Sequence, residues 1–337
     1  MKTREGDLIE NKAGLIFDVK GLVHPPGRIV AFPRFIPDPH GARRRKKVLY
    51  KKVYALPERF QLLEQRFPNY LVHDPLFDEK LCEVPTEDVR HHYRPVDRLQ
   101  GLRQSARLDD LETYAFEFCT LLKRRAKIPW SKIGITGSIL AKLHTPKSDI
   151  DAVVYGSENC KRTYSALKTL LKKKKDFFRP YNREDLKALF GFRSKDTMMD
   201  FEDFVRTESK KALQGKFLQR DYFIRFVKDW SEICERYGDV RYVNSGYSKL
   251  EAKIVDDSES IFTPCLYRVD NVRLLEGTKV TPIKEIVSFR GRFCEQAVAG
   301  EMVVAQGKVE RVRDSKKNHE HFRILLGNKP SDYMVLA

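Results

Sequence analysis

The sequence predicts an α+β, multidomain protein in three parts: a β-rich segment at residues 1–100, a mixed core at 101–240 and an all-β segment at 241–337. Three observations predict it. Short apolar runs broken by proline and glycine turns fill the first hundred residues. Helical spacing of apolar residues then alternates with short strand-like runs. Beyond residue 240 the strand-like runs return, punctuated by Gly277, Gly300, Gly307 and Gly327. At roughly 100–200 residues per domain, 337 residues hold two or three domains.

Gly14–Lys20 reads as a short apolar strand and His24-Pro25-Pro26-Gly27 as a turn. Arg28–Ile36 is the next strand, in which Pro33 argues for an edge or a bulge. Pro37–Gly41 turns the chain back into a strand at Val48–Tyr54. Pro57–Gln65 is a short helix with proline at an early position, and 68–100 reads as irregular. Arg107–Arg125 is an amphipathic helix: Leu108, Leu111, Tyr114, Ala115, Phe118, Leu121 and Leu122 recur at spacings of three and four, and Pro129 ends it. Lys132–Thr136 is a strand, Gly137-Ser138 opens a helix, and Ile150–Tyr155 is the next strand. A basic helix at 158–175 and a helical stretch at 183–213, interrupted near Gly191, precede a strand at Tyr222–Val227. Runs at 250–256, 261–275, 283–289, 301–312 and 321–326 are compatible with a small barrel such as an OB-fold.

Composition narrows the function. Lys and Arg exceed Asp and Glu by 64 − 47 = 17 charges, which points to a polyanionic partner. Residues 39–57 hold seven cations and no acid (Arg43, Arg44, Arg45, Lys46, Lys47, Lys51, Lys52), and residues 161–175 repeat that count. Five consecutive cations from Arg43 to Lys47 repel one another unless an anion is near, so they are candidate nucleic-acid contacts. Lys172, Lys173, Lys174 and Lys175 are the second candidate set, although cations also suit a helix C-terminus. No apolar run approaches the ~18 residues of a membrane span, and the N-terminus has no apolar leader core. Six scattered cysteines form no CxxC pair, so buried reduced thiols in a cytoplasmic protein are expected. His91-His92 and His319/His321 lack Cys or acid partners at ligand spacing.

The informative stretch is Gly134 to Gly156. An apolar strand ends at Gly137-Ser138, where a helix begins. Unpaired N–H groups at a helix start, a glycine that permits close approach and a hydroxyl make a cradle for phosphate. Ten residues separate Ser138 from Asp149, and Asp149 and Asp151 flank Ile150. In a strand, i and i+2 share a face, so both carboxylates point the same way. Paired hard oxygen ligands suit Mg²⁺ (or Mn²⁺) shared with substrate phosphates. Lys142, one turn further on, is a candidate phosphate contact.

Thr136-Gly137-Ser138 followed at this spacing by Ser148-Asp149-Ile150-Asp151 resembles the nucleotidyltransferase superfamily typified by DNA polymerase beta. Pro146-Lys147-Ser148-Asp149-Ile150-Asp151 is similar to its small minimal members. The whole chain also resembles an archaeal group of predicted nucleotidyltransferases, through Gly14-Leu-Ile-Phe-Asp-Val19, His24-Pro-Pro-Gly-Arg-Ile-Val-Ala-Phe32 and Ser148 to Gly156. The resemblance implies a polymerase-beta-like core, a short mixed sheet with helices, between the two β segments. It implies a two-ion mechanism: Asp149 and Asp151 hold Mg²⁺ on the triphosphate of an NTP, ATP or CTP first, and Gly137 and Ser138 grip its phosphates. An acceptor hydroxyl attacks the α-phosphorus and pyrophosphate leaves.

The resemblance also implies a third acid on a later apolar strand. Asp221 is the first choice, at the beginning of its strand. Glu251, Asp256 and Asp257 are the alternatives. Arg179 and Arg183 are further candidates for the triphosphate, and Glu158 reads as a helix-start acid. The acceptor expected from the charge is an RNA or other nucleic acid 3′ end. Transfer to a protein hydroxyl, transfer to a small molecule, and RNA binding by a relic site stay open. The oligomeric state is not legible.

Overall fold

Strong alternation of side chains from Arg28 onward makes the longest strand of an N-terminal sheet. The computed structural model describes residues 1–173, 177–194 and 198–337. The sheet is built from β1 (Leu8–Asn11), β2 (Ile16–Val19), β3 (Arg28–Pro37), β4 (Arg43–Arg45) and β5 (Val48–Lys52). After helix α1 (Leu56–Arg66) it takes in β6 (Leu71–Asp74), β7 (Glu79–Pro85) and β8 (Val89–Tyr93). The main path runs β4-β5-β3-β2-β1-β8, and β7 pairs with β3 and β6. Pro33 sits opposite Phe17 beside a register shift, so the proline coincides with a bulge. The stretch 68–100, expected to be irregular, contains three of these strands and the start of a helix. Its strands are short and do not alternate, with four consecutive buried residues in β7 and none buried in β8, so the period-2 signal is missing.

Helix α2 (Pro95–Gln104) leads to α3 (Asp110–Ala126). Asp109 and Glu112 form a reciprocal capping box at the start of α3, and Lys127 in the left-handed region ends it. A second sheet follows: β9 (Ile133–Ile135), the single-turn α4 (Gly137–Leu140), β10 (Ile150–Tyr155), α5 (Ser157–Lys173) and β11 (Phe178–Arg179). Helices α6 (Arg183–Arg193) and α7 (Phe201–Glu208) intervene before β12 (Gln214–Phe217) and β13 (Arg220–Val227). The order is β11-β12-β13-β10-β9, with β10 and β13 parallel.

Each face of this sheet has a different cover. Ile150, Ala152 and Val154 face α3 and α5: Phe118 of α3 lies 5.1 Å from Tyr222, the residue opposite Ile150, and Cys160 of α5 donates to Val154 O. Val153, Tyr155 and Val227 on the other face pack with Leu22 and Val96. There the N-terminal sheet closes down: Leu8, Ile16, Phe35 and Tyr50 share one core with Leu140, Ala141 and Leu143. Met1–His73, Lys80–Arg179 and Leu213–Cys234 accordingly form one compact unit.

The second unit comprises Asp74–Glu79, Pro180–Ala212 and Glu235–Ala337. Its sheet contains β14 (Val240–Glu259), β15 (Cys265–Gly277), β16 (Ile283–Ser288), β17 (Met302–Asp314), β18 (His319–Leu326) and β19 (Tyr333–Leu336). Strand β14 pairs with both β15 and β17, and β16 runs parallel to β18, so the pairings β14-β15-β16-β18-β17 return to β14. The sequence reading missed Val240–Ser248 and β19, where alternation is with half-exposed residues. The protein is therefore a mixture of α and β throughout. Among the described residues no helix is long and apolar enough to cross a membrane.

The shared core makes a testable demand. Leu140 is 3% exposed, so Leu140→Ala should destabilise the first unit by about 2–5 kcal/mol. Urea unfolding followed by proteolysis should show the N-terminal sheet and the second sheet losing protection together. Separate transitions for residues 1–73 and for residues 133–179 with 213–227 would contradict one shared core.

Candidate functional site

Backbone conformation comes first. Gly137 has φ +63°, and a Cβ there would overlap the Asp151 carboxylate. Only glycine lets the turn after β9 come so close to the acid. The Thr136 hydroxyl donates to Gly6 O at 2.6 Å, and Thr136 N to Asp151 O at 2.9 Å, which ties the turn to the N-terminal arm and to β10. Ser138 is 2% exposed, and its hydroxyl is buried with no hydrogen-bond partner among the described residues. Such a group is costly until a ligand or water meets it. The helix expected after Ser138 is a single turn, because Lys142 turns into the left-handed region at φ 54°. Its dipole is correspondingly small. Lys142 is exposed.

Asp151 is the electrostatic centre. Burial pushes its carboxyl up to about 7, and the Asp149 charge adds to the rise. Lys52, Arg34 and Arg225 act in the opposite direction. The paired acids, the glycine cradle and the unsatisfied hydroxyl fit a divalent cation carrying phosphate: hard oxygens in a partly desolvated place that favours added positive charge. Asp149 and Asp151 would hold that ion.

The loop that delivers Asp149 is held by side chains from three directions. Arg43 donates to Leu143 O at 2.5 Å and to Ser148 Oγ at 3.3 Å. Arg220 donates to Pro146 O. His144 Nε2 lies 2.7 Å from Asp109 Oδ2. Asp109, Glu112 and His144 lie close enough to share an ion, but Asp109 and Glu112 already form the capping box of α3, and Glu112 also pairs with Arg98.

The basic run divides by strand alternation. Arg43 holds the loop, and Arg45 is enclosed by Glu10 at 2.9 Å and by the hydroxyls of Tyr50 and Tyr93, each at 2.7 Å. Arg44, Lys46 and Lys47 are exposed. In the second run Lys172 and Lys173 are exposed at the end of α5, and Lys174 and Lys175 lie outside the described residues. Arg179 donates to Gln219 at 3.3 Å, Arg183 pairs with Glu202, and Glu158 pairs with Arg162 at 2.9 Å.

Register locates the candidates for a third acid. Ile150 pairs with Tyr222 and Asp151 with Phe223, which sets Asp221 level with Asp149. Its side chain is 52% exposed and lies 2.9 Å from Lys216. Further along the same face comes Arg225, opposite Val153. Glu251, Asp256 and Asp257 lie on β14 in the second unit, where Arg273 Nε donates to Glu251 at 2.8 Å and Arg268 is 3.8 Å from Asp256.

Sequence reasoning missed that Arg34, Lys52 and Arg225 act on Asp151, and missed the ion-pair network that holds Arg225. Arg225 pairs with Glu5 at 2.6 Å and Asp18 at 3.5 Å, and Lys20 with Asp18 at 2.7 Å and Glu5 at 3.3 Å. The cations hold the Asp18 carboxyl well below the usual range against the opposing effect of burial. A signal existed: Asp18 and Arg225 each interrupt an apolar strand, which is costly without a partner.

Burial of Asp151 gives a signed expectation. A carboxyl raised to about 7 binds its proton more tightly folded than unfolded. The penalty is thus full above about 7 and fades as pH falls towards the unfolded value near 4. In metal-free buffer Asp151→Asn should raise Tm by a few degrees at pH 8 and by progressively less towards pH 4. A pH-independent difference would sink this account.

Residues 118–222 match the family model of the nucleotidyltransferase domain. The chain is 31% identical to the uncharacterized protein MJ1086 of Methanocaldococcus jannaschii over 335 residues, 97% of this chain and 96% of that one. No solved structure matches it. The domain match spans the Gly-Ser turn and the Asp149–Asp151 strand and ends on β13, and the archaeal likeness takes in both units. The chain belongs to the polymerase-beta-like nucleotidyltransferases, and it is an enzyme of the class that transfers nucleotidyl groups.

Proposed function

We propose that the protein moves a nucleoside monophosphate from an NTP, ATP or CTP in the first place, to the 3′ hydroxyl of an RNA, with release of pyrophosphate. The observation that carries this reading is the half-buried Asp151, paired with Asp149 and set against the Gly137 turn. Mg²⁺, two ions by the family pattern, would supply charge to the triphosphate and acidify the attacking hydroxyl. Asp149 and Asp151 would hold it, with Asp221 as the candidate third acid. The Ser138 hydroxyl would satisfy itself on a phosphate oxygen. The acceptor hydroxyl gives its proton to solvent, its oxygen forms the new bond to the α-phosphorus as the bond to the bridging oxygen breaks, and that electron pair leaves with pyrophosphate.

Charge supports a nucleic-acid acceptor over a protein one. The net excess of 17 cations is large, and Arg44, Lys46 and Lys47 stand exposed on the hairpin whose Arg43 holds the loop before Asp149. A cytoplasmic location fits this chemistry. We also propose that the circuit of pairings in residues 241–337 is a small OB-type barrel. The three sheets correspond, in this reading, to domains at 1–100, 101–240 and 241–337.

Incubation with each α-³²P-labelled NTP, Mg²⁺ and total RNA should label RNA. The Asp149→Ala/Asp151→Ala double variant, or addition of EDTA, should reduce labelling to background. Label in protein instead would replace the RNA acceptor with a protein hydroxyl. Absence of both label and pyrophosphate would overturn transfer to a macromolecule.

A further inference from the structure

The Asp151 face looks onto a wall that lies outside the matched domain. Strand register fixes which side chains the N-terminal sheet presents there. Leu8 stands opposite Asp18, and Phe35 opposite Lys52. Antiparallel partners point the same way. Since Leu8 and Phe35 pack on Leu140, Ala141 and Leu143, Asp18 and Lys52 rise on that same face, towards the turn and loop that carry Ser138 and Asp149.

Charge on this wall balances only when Asp149 and Asp151 are counted with it. Glu5 and Asp18 are matched by Lys20 and Arg225, two acids against two cations at 2.6–3.5 Å. Arg34 and Lys52 remain. The Arg34 guanidinium lies 5.0 Å and the Lys52 ammonium 4.6 Å from the centre of one ring, Tyr54. Both are half-buried, and among the described residues neither makes an ion pair. Two like charges on one aromatic plate repel each other, and partial burial raises that cost. Their fields reach Asp151, so a divalent cation held by the paired aspartates would take up that acid charge and leave Arg34 and Lys52 facing the phosphate the ion carries. The single turn of α4 is too short to supply that positive potential itself.

We propose that Arg34 and Lys52, resting on Tyr54, form a phosphate subsite that the N-terminal sheet contributes to the nucleotidyltransferase centre. The inference rests on the transfer reading for the source of the phosphate: the tail of the NTP, or the backbone of the acceptor. Arg34 suits a bidentate grip on phosphate oxygens, and Lys52 acts as a point charge beside it.

The test measures equilibrium binding in the whole protein, without turnover. The probes are α,β-methylene-ATP with Mg²⁺, inorganic tripolyphosphate, and a fluorescent single-stranded RNA oligonucleotide. Arg34→Gln and Lys52→Gln should each weaken one class of probe about tenfold. Arg34→Lys and Lys52→Arg should lose less, and all four variants should keep the wild-type melting temperature within a few degrees. Weakening of the nucleotide analogue and tripolyphosphate alone would assign the subsite to the triphosphate. Weakening of the oligonucleotide alone, with a salt slope reduced by about 2 in the Arg34→Gln/Lys52→Gln variant, would assign it to the acceptor backbone. Wild-type-like affinity of the variants for all three probes, or no binding of any probe by the wild type, would overturn it. Pyrophosphate release tests the transfer reading separately, so the two can fail independently.

Discussion

Two carboxylates begin a strand whose other side chains are buried, and the surrounding structure answers that constraint. Asp149 and Asp151 sit next to each other in partly desolvated surroundings, where burial and the Asp149 charge raise the cost of ionising Asp151. Cations from three different elements reach Asp151: Arg34 from β3, Lys52 from β5 and Arg225 from β13. Two of these strands belong to the N-terminal sheet. That sheet is therefore part of the electrostatics of the centre as well as of its hydrophobic core.

The quartet of Glu5, Asp18, Lys20 and Arg225, of which the last three are half-buried, shows how the two sheets are joined. A charge buried alone in an apolar interface would be prohibitive, but four charges in two-to-two balance are tolerated and fix orientation. Glu5 is fully buried and also accepts from Gly21 N at 2.7 Å. The N-terminal arm is thereby held across the same sheet face that carries Asp151. Arg4 extends this anchorage, with its guanidinium 3.3 Å from the Tyr155 ring centre and 3.2 Å from Asp229. Removing one member of such a set leaves a buried charge without its partner, so the quartet behaves as a unit.

The basic run at Arg43–Lys47 illustrates how one patch can carry two tasks. A strand turns alternate residues to opposite sides. Arg43 and Arg45 become internal ties, one to the loop before Asp149 and one to Glu10 and two tyrosines. Arg44 stays in solvent with Lys46 and Lys47 of the turn. Composition alone counts five equivalent cations, and pairing separates them.

By itself the sequence determined the local chemistry. Thr136-Gly137-Ser138 and Asp149-Ile150-Asp151 are short-range patterns, and the strand–turn–strand that carries them follows from apolar runs and one obligatory glycine. The helix at 107–125 was legible because its apolar spacing is regular, while the reciprocal Asp109–Glu112 cap that starts it at Asp110 went unread. The strands of 68–100 were not, being short and without apolar–polar alternation. Tertiary structure alone decided which distant charges meet. Asp18 and Arg225 are separated by some two hundred residues and meet at 3.5 Å, and Arg34 and Lys52 reach Asp151 from another sheet. The physical reason is that pairing register and sheet packing, which set those encounters, are long-range properties: each strand states which of its residues share a face, but not what that face will meet.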